Sequence, residues 1–262
     1  MKFSLLTYNV LYNNALARLS PILKKYKPDI LCLQEVDTNE KNLKSLERDC
    51  YQLADFSNSF IKFGKIYGVA TYYNTNSFTF LESDNLNLPR SYLEIALLIF
   101  HLLKGGNKPR TVLQTDFLCK LVNKSLSIFN IHLSLYGANS IRNKQLEKTL
   151  KDDLTFGKKD PLIITGDFNY FPYRRKKLEN IMKECGLAEA TCNLNYTIRY
   201  SFDGKAERYN FIQKLGARFI RKFLDGKLKV DYTFYRNLKL TKAERIDVRF
   251  SDHYPIIAYF KI

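Results

Sequence analysis

Residues 30–35 read ILCLQE, a short apolar run closed by a carboxylate. Bounded by turn signals, a run of that length reads as a buried strand. Just upstream, Pro28-Asp29 breaks a segment, residues 15–26, in which Leu16, Leu19, Ile22 and Leu23 share one helical face. Before that, residues 3–10 read as another short strand. The order is therefore strand, helix, buried strand, acidic residue. It recurs at 126–167: LSIFNIHL (126–133), a helix candidate at 139–150, then PLIIT (161–165) running into Gly166-Asp167. Two similar halves packed as two sheets account for the echo. Nothing resembles a flexible linker, so residues 1–262 are read as one domain.

The remaining elements are read from the same signals. Residues 40–49 suggest a helix; 67–73, 77–81, 93–102 and 111–119 suggest strands, with a turn at 105–109. Two strand-like pieces, 230–235 and 254–260, close the chain.

Composition narrows the setting. The 262 residues are 45% hydrophobic, enough for a substantial core, and 42 Lys and Arg against 26 Asp and Glu give a net charge of +16. Such a charge favours anionic partners: nucleic acid, anionic membrane or phosphate-rich ligands. Cys32, Cys50, Cys119, Cys185 and Cys192 are odd in number and contain no CxxC, which argues against a disulfide framework or zinc site and for a reducing compartment. The N-terminal apolar stretch is too short for a secretory signal, and no run approaches a membrane span. A soluble, cytoplasmic monomer is expected.

Four polar clusters follow apolar strand-like runs: Asn9, Glu35, Asp167 with Asn169, and Asp252 with His253. Strand ends are where an α/β fold presents catalytic side chains. Mg²⁺ takes oxygen ligands, usually one or two carboxylates with water and substrate phosphate. Glu35 and Asp252 offer the carboxylates and Asn9 an amide oxygen. Asp167 is placed to orient or deprotonate a water, Asn169 to share its side of an extended segment, and His132 and His253 to donate to phosphate oxygens. Each alone has an ordinary structural alternative: a turn asparagine, a solvated glutamate, an Asx turn at Asp-Phe-Asn, a surface Asp-His pair.

Taken together, TYNVL (7–11), LCLQEVD (31–37), FNIHL (129–133), GDFN (166–169), VDYTF (230–234) and SDHYPI (251–256) resemble the endonuclease/exonuclease/phosphatase superfamily, in its order and across nearly the whole chain. The resemblance implies a four-layer α/β sandwich: two central mixed, mainly antiparallel sheets flanked by helices. It implies Mg²⁺ as cofactor, with Mn²⁺ the alternative, held by Glu35, Asn9 and Asp252. It implies Asp167 as the residue acting on the attacking water and Asn169 and His132 as phosphate contacts. It implies His253 as transition-state donor, oriented by Asp231. Leu11 and the absence of Trp set the chain apart from the apurinic-endonuclease branch. TYNVL, LCLQEVD and His132…Arg142-x-x-Gln145 look more like the deadenylase and tyrosyl-DNA phosphodiesterase branches.

Substrate is read from charge. Arg174–Lys177 is RRKK, and residues 199–229 carry nine basic and three acidic residues, so these two stretches supply +10 of the +16. In 208–224, Ile212, Leu215, Phe219 and Phe223 form one helical face, and Lys214, Arg218, Arg221 and Lys222 the opposite one. That helix suits a rim tracking a nucleic-acid backbone, a solvated cover on the core, or a surface lying on anionic membrane. Tyr170, Phe171 and Tyr173 run into RRKK, an arrangement suited to stacking single-stranded bases; packing in the core is the alternative. Arg142, Arg174 and Arg175 are candidate substrate contacts, and His101 reads as structural. The expected activity is Mg²⁺-dependent hydrolysis of phosphodiesters in DNA or RNA, such as DNA repair requires. The alternatives are a sphingomyelinase-type phospholipid phosphodiesterase and a non-catalytic nucleic-acid-binding module.

Overall fold

The computed structural model describes residues 1–48, 50–62, 64–90, 92, 95, 110–135, 137–155, 160–199 and 226–262. The expected strand at 93–102, the turn at 105–109, His101 and the basic helix at 208–224 lie outside the described residues, apart from the isolated residue 95.

Two mixed sheets of six strands make the centre. One contains β1 (Lys2–Asn9), β2 (Ile30–Asp37), β3 (Tyr51–Lys62), β4 (Lys65–Asn74), β11 (Lys239–Arg245) and β12 (Ile256–Lys261), ordered β11-β12-β1-β2-β4-β3. The other contains β5 (Phe78–Asn87), β6 (Thr111–Cys119), β7 (Lys124–His132), β8 (Leu162–Asp167), β9 (Ala188–Glu189) and β10 (Asp231–Arg236), ordered β5-β6-β7-β8-β10-β9. Each sheet has one parallel pair, β1·β2 or β7·β8, and every other pairing is antiparallel. The echo read in the sequence is thus a repeated topology.

Helices cover the outer faces. α1 (Ser20–Tyr26) and α2 (Glu40–Lys44) place Ile22, Leu23 and Leu43 against Leu6, Tyr8, Leu31 and Leu33 of the first sheet. α3 (Asn139–Thr155) and α4 (Arg175–Glu184) place Leu146, Leu150, Leu178, Ile181 and Met182 against Phe129, Ile131, Leu162 and Ile164 of the second. The result is the four-layer α/β sandwich. Some expected bounds change. Residues 15–26 divide into a 3₁₀ turn at Leu16–Arg18 and α1, whose first turn holds Pro21. The helix expected over 40–49 stops at Lys44, β5 runs on to Asn87, and α3 continues to Thr155.

Between the sheets the side chains change character along the strands. At one end Leu5, Ile30, Cys32, Phe117, Ile128 and Ile163 form an apolar layer shared by both sheets. Two residues further along β1, β2, β7 and β8, the inward positions become Thr7, Gln34, Asn130 and Thr165, all buried. Buried polar groups are costly unless hydrogen-bonded. Gln34 Nε2 donates to Asn130 Oδ1 (2.8 Å) and Thr7 Oγ1 (3.1 Å), and Asn130 Nδ2 donates to the Ala70 carbonyl (3.0 Å). One further step, at the strands' carboxyl ends, lie Asn9, His132 and Asp167. The site is the third layer of this gradient.

Candidate active site

Glu35 reaches the site by a bulge. The β2–β4 register passes from Gln34 opposite Val69 to Val36 opposite Gly68, leaving Glu35 as the extra residue at φ 57°. Regular pleating would send residue 35 towards the helices, like Leu31 and Leu33. The bulge gives that place to Val36, which packs in the helix-side core, and re-aims Glu35. Opposite it, Gly68 has no room for a Cβ, which would lie 1.9 Å from the Ser57 carbonyl oxygen.

Asp167 ends β8 without irregularity, directly opposite His132. Its Oδ1 accepts the Asn169 backbone N–H at 2.9 Å, and its Oδ2 accepts Asn9 Nδ2 at 3.0 Å across the two sheets. The first bond closes an Asx turn. Asn169, at φ 49°, therefore lies beyond the strand rather than sharing a face of it with Asp167, and its amide donates to the Leu133 carbonyl at 3.1 Å. Asn9 Oδ1 accepts the Leu11 N–H at 3.0 Å. Burial, with Asp231 adding, pushes Asp167 up to about 6 against the pull of His253.

The two histidines are held in opposite states. His253 Nδ1 lies 3.0 and 2.9 Å from the two Asp231 oxygens, and its Nε2 lies 3.7 Å from Asp167 Oδ2. Burial disfavours the imidazolium, but the carboxylates of Asp231, Asp167 and Asp252 outweigh it and raise His253 well above its ordinary range. His132 is pushed well down by burial, Arg110 and His253. Arg110 Nη1 sits 3.3 Å from His132 Nδ1, and a guanidinium only donates. The His132 proton is thereby fixed on Nε2, facing Asp167 Oδ2 (3.5 Å) and Glu35 Oε1 (3.8 Å).

Glu35 differs from both aspartates. Its buried Oε2 has no hydrogen-bond partner among the described residues. Burial, with Asp252 and Asp167 opposing the pull of His253 and Lys62, pushes it up to about 7. A buried, unpartnered oxygen beside further carboxylates is what a hard divalent cation satisfies, so the donor set fits such an ion at Glu35. Asp167, Asp231 and His253 also converge, with one ligand atom of each within 4.8 Å of the others. An imidazolium carries protons on both nitrogens and cannot ligate, so that trio reads as an ion network.

Asn9, Glu35, His132, Asp167, Asn169, Asp231, Asp252 and His253 thus gather at one end of the sandwich, Glu35 and Asp252 being the partly exposed members. Arg142, Arg174 and Arg175 are not brought into this group. Arg142 is buried and donates to the carbonyls of Gly137 (2.9 Å) and Leu135 (2.8 Å); Arg175 pairs with Glu179 and Glu189; Arg174 is exposed. Of the three aromatics beside them, Tyr170 is core. Two cations here lack any motif in the sequence. Lys62, at the end of β3, donates to Tyr12 Oη and feels the charges of Glu35 and Asp252. Arg110 lies 4.7 Å from the centroid of Phe60. Only the three-dimensional register brings these residues to the carboxylates.

Comparison with known proteins agrees with this fold. Residues 6–253 match the model of a family described as Endonuclease/Exonuclease/phosphatase. No curated protein sequence matches significantly. The human Nocturnin catalytic domain with bound sulfate superposes with a TM-score of 0.71 at 19% identity, over 99% of this chain and 94% of that one. D. rerio TDP2 complexed with a single-strand DNA product superposes at 0.66 and 18%, over 100% and 99%. A Bacteroides thetaiotaomicron mannosyl-6-phosphatase superposes at 0.67 and 17%, over 99% and 100%. At such identities these structures establish the shared fold.

Proposed function

The chain belongs to the endonuclease/exonuclease/phosphatase family, and from that premise we propose that it is a Mg²⁺-dependent phosphodiesterase acting on nucleic acid. The observation that carries the reading is the convergence of Asp167, the Asp231–His253 pair and the unpartnered Glu35 oxygen at one end of the sandwich. The charge of +16 supports a polyanionic substrate. Five free cysteines, and no described helix long and apolar enough to cross a membrane, suit a cytoplasmic setting.

Glu35, with Asp252 and Asn9, would hold the cation, which when bound polarises a phosphoryl oxygen. The protein's own groups do the rest. Asp167, near 6, is largely ionised at neutral pH and is fixed by two hydrogen bonds. It orients a water and takes its proton as the water oxygen attacks phosphorus and the ester P–O bond breaks. His253, held protonated by Asp231, donates to the oxygen on which negative charge gathers. His132, neutral with its proton on Nε2, is a second donor. Lys62 and Arg110 offset phosphate charge at the rim.

The decisive assay offers the protein Mg²⁺ with labelled single-stranded, duplex, abasic and 5′-tyrosyl DNA, RNA, sphingomyelin and a hexose 6-phosphate. Cleavage of nucleic acid, lost with a chelator and in Asp167→Ala, is expected. Turnover confined to lipid or sugar phosphate, or cleavage retained by Asp167→Ala, would sink the reading.

A further inference from the structure

Parallel pairing of β7 and β8 sends the loops that follow them out at the same end as His132 and Asp167. Buried polar side chains stitch these loops together. Asn139 Nδ2 donates to the carbonyls of Phe171 (3.0 Å) and Tyr173 (2.7 Å), and its Oδ1 accepts the Phe171 N–H (3.1 Å). Its own N–H donates to Tyr173 Oη at 3.2 Å. Arg142 ties down the facing loop through Leu135 and Gly137, and its guanidinium lies 4.5 Å from the Phe171 ring centroid.

What this frame holds outward is aromatic. The Phe171 and Tyr173 rings stack at 6.0 Å with 13° between their planes, and Tyr173 remains 49% exposed. Leu135, on the loop that Arg142 holds, is 48% exposed. A tyrosine needed for packing would be covered; here the buried Asn139 side chain fixes the backbone of one that is not, and Arg142 braces Asn139 and the Phe171 ring beside it. Tyr173 follows Asn169 by four positions, so its Cα lies within about 14 Å of the Asn169 Cα. Arg174, Lys176 and Lys177, all exposed, follow at once.

We propose that Phe171 and Tyr173 form a stacking platform for a nucleobase of the strand being cleaved, with Arg174, Lys176 and Lys177 neutralising its neighbouring phosphates. The inference rests on the nucleic-acid reading above. Every base has a π-face, so such a platform grips single strands with little regard to sequence, and the adjoining cations supply the salt-dependent part. It also gives Arg142 a role: it supports the platform from beneath the loop and does not touch substrate.

The test uses the full chain, chelator and a single-stranded oligonucleotide carrying 2-aminopurine, whose fluorescence falls on stacking. Quenching on binding is expected for the wild type and for Tyr173→Phe. Tyr173→Leu should lose the quench, weaken binding about tenfold, and with Mg²⁺ raise KM far more than it lowers kcat. Unchanged quenching and affinity in Tyr173→Leu, in a protein that does cleave nucleic acid, overturns the platform alone. No cleavage or binding of any nucleic acid overturns the platform together with the reading beneath it. Tyr173-dependent binding to anionic phospholipid vesicles, without an oligonucleotide quench, also overturns it.

Discussion

The β1–β2 and β7–β8 ends have the same topology, a parallel pair joined over a helix, yet they finish differently. Asp167 sits in regular register opposite His132, with both oxygens hydrogen-bonded. Glu35 sits on a bulge at positive φ, with one buried oxygen that has no partner among the described residues. One half is complete as folded; the other stores an electrostatic cost that a cation would relieve. Preorganisation and unsatisfied charge are thus divided between two copies of one topology.

Swapping each carboxylate for its amide separates the halves most sharply. Asp167→Asn should lower kcat about 10³-fold, and excess Mg²⁺ should not restore it. Glu35→Gln should fall comparably at low Mg²⁺ but recover in part as Mg²⁺ is raised. Steady-state kinetics over a metal titration checks both; identical metal responses would erase the distinction.

Stability should separate them next. Glu35 lies at about 7 when folded, against an ordinary 4.5. The folded chain therefore binds more protons than the unfolded one across that window. Metal-free stability should fall as pH rises through it, by on the order of 3 kcal/mol. Urea denaturation in chelator should show a steeper slope in wild type than in Glu35→Gln, where Asp167, raised to about 6, still contributes, and Mg²⁺ should stabilise the wild type most at the alkaline end.

Asp231→Asn probes the completed half. It removes a carboxylate that raises His253, so the imidazolium should deprotonate at lower pH. The alkaline limb of kcat/KM should move down, with turnover at pH 8 reduced about a hundredfold. The smallest effect belongs to the polar layer both halves share. Gln34→Leu leaves Asn130 Oδ1 and Thr7 Oγ1 without their donor and should cost about 1–3 kcal/mol in thermal or urea unfolding.

What the sequence made legible follows the same division. β1, β2, β7 and β8 were readable because each is a buried run leading into a polar residue, and Asn9, Glu35, His132 and Asp167 are those residues, although β2 continues past Glu35 to Asp37. β3 and β11 were not: few of their residues are fully buried, so neither strand shows a clean alternation of covered and exposed positions. α4 hid behind its opening charges, although Leu178, Ile181 and Met182 are spaced to bury one face. The Glu35 bulge left no trace in the text, since ILCLQEV continues as an unbroken strand pattern. Lys62 and Arg110 reach the site through pairings no local motif records.

The Asn9–Asp167 hydrogen bond spans 158 residues and joins the two sheets. Contacts so distant in sequence form late and slowly, because loop closure must precede them. A folding intermediate holding only one sheet would have Asp167, the proposed general base, without its cross-sheet anchor, or Glu35, the proposed cation ligand, without its neighbours. On the proposed mechanism, catalytic competence therefore waits until the sheets dock, and the emerging chain would stay chemically silent until the native topology is complete.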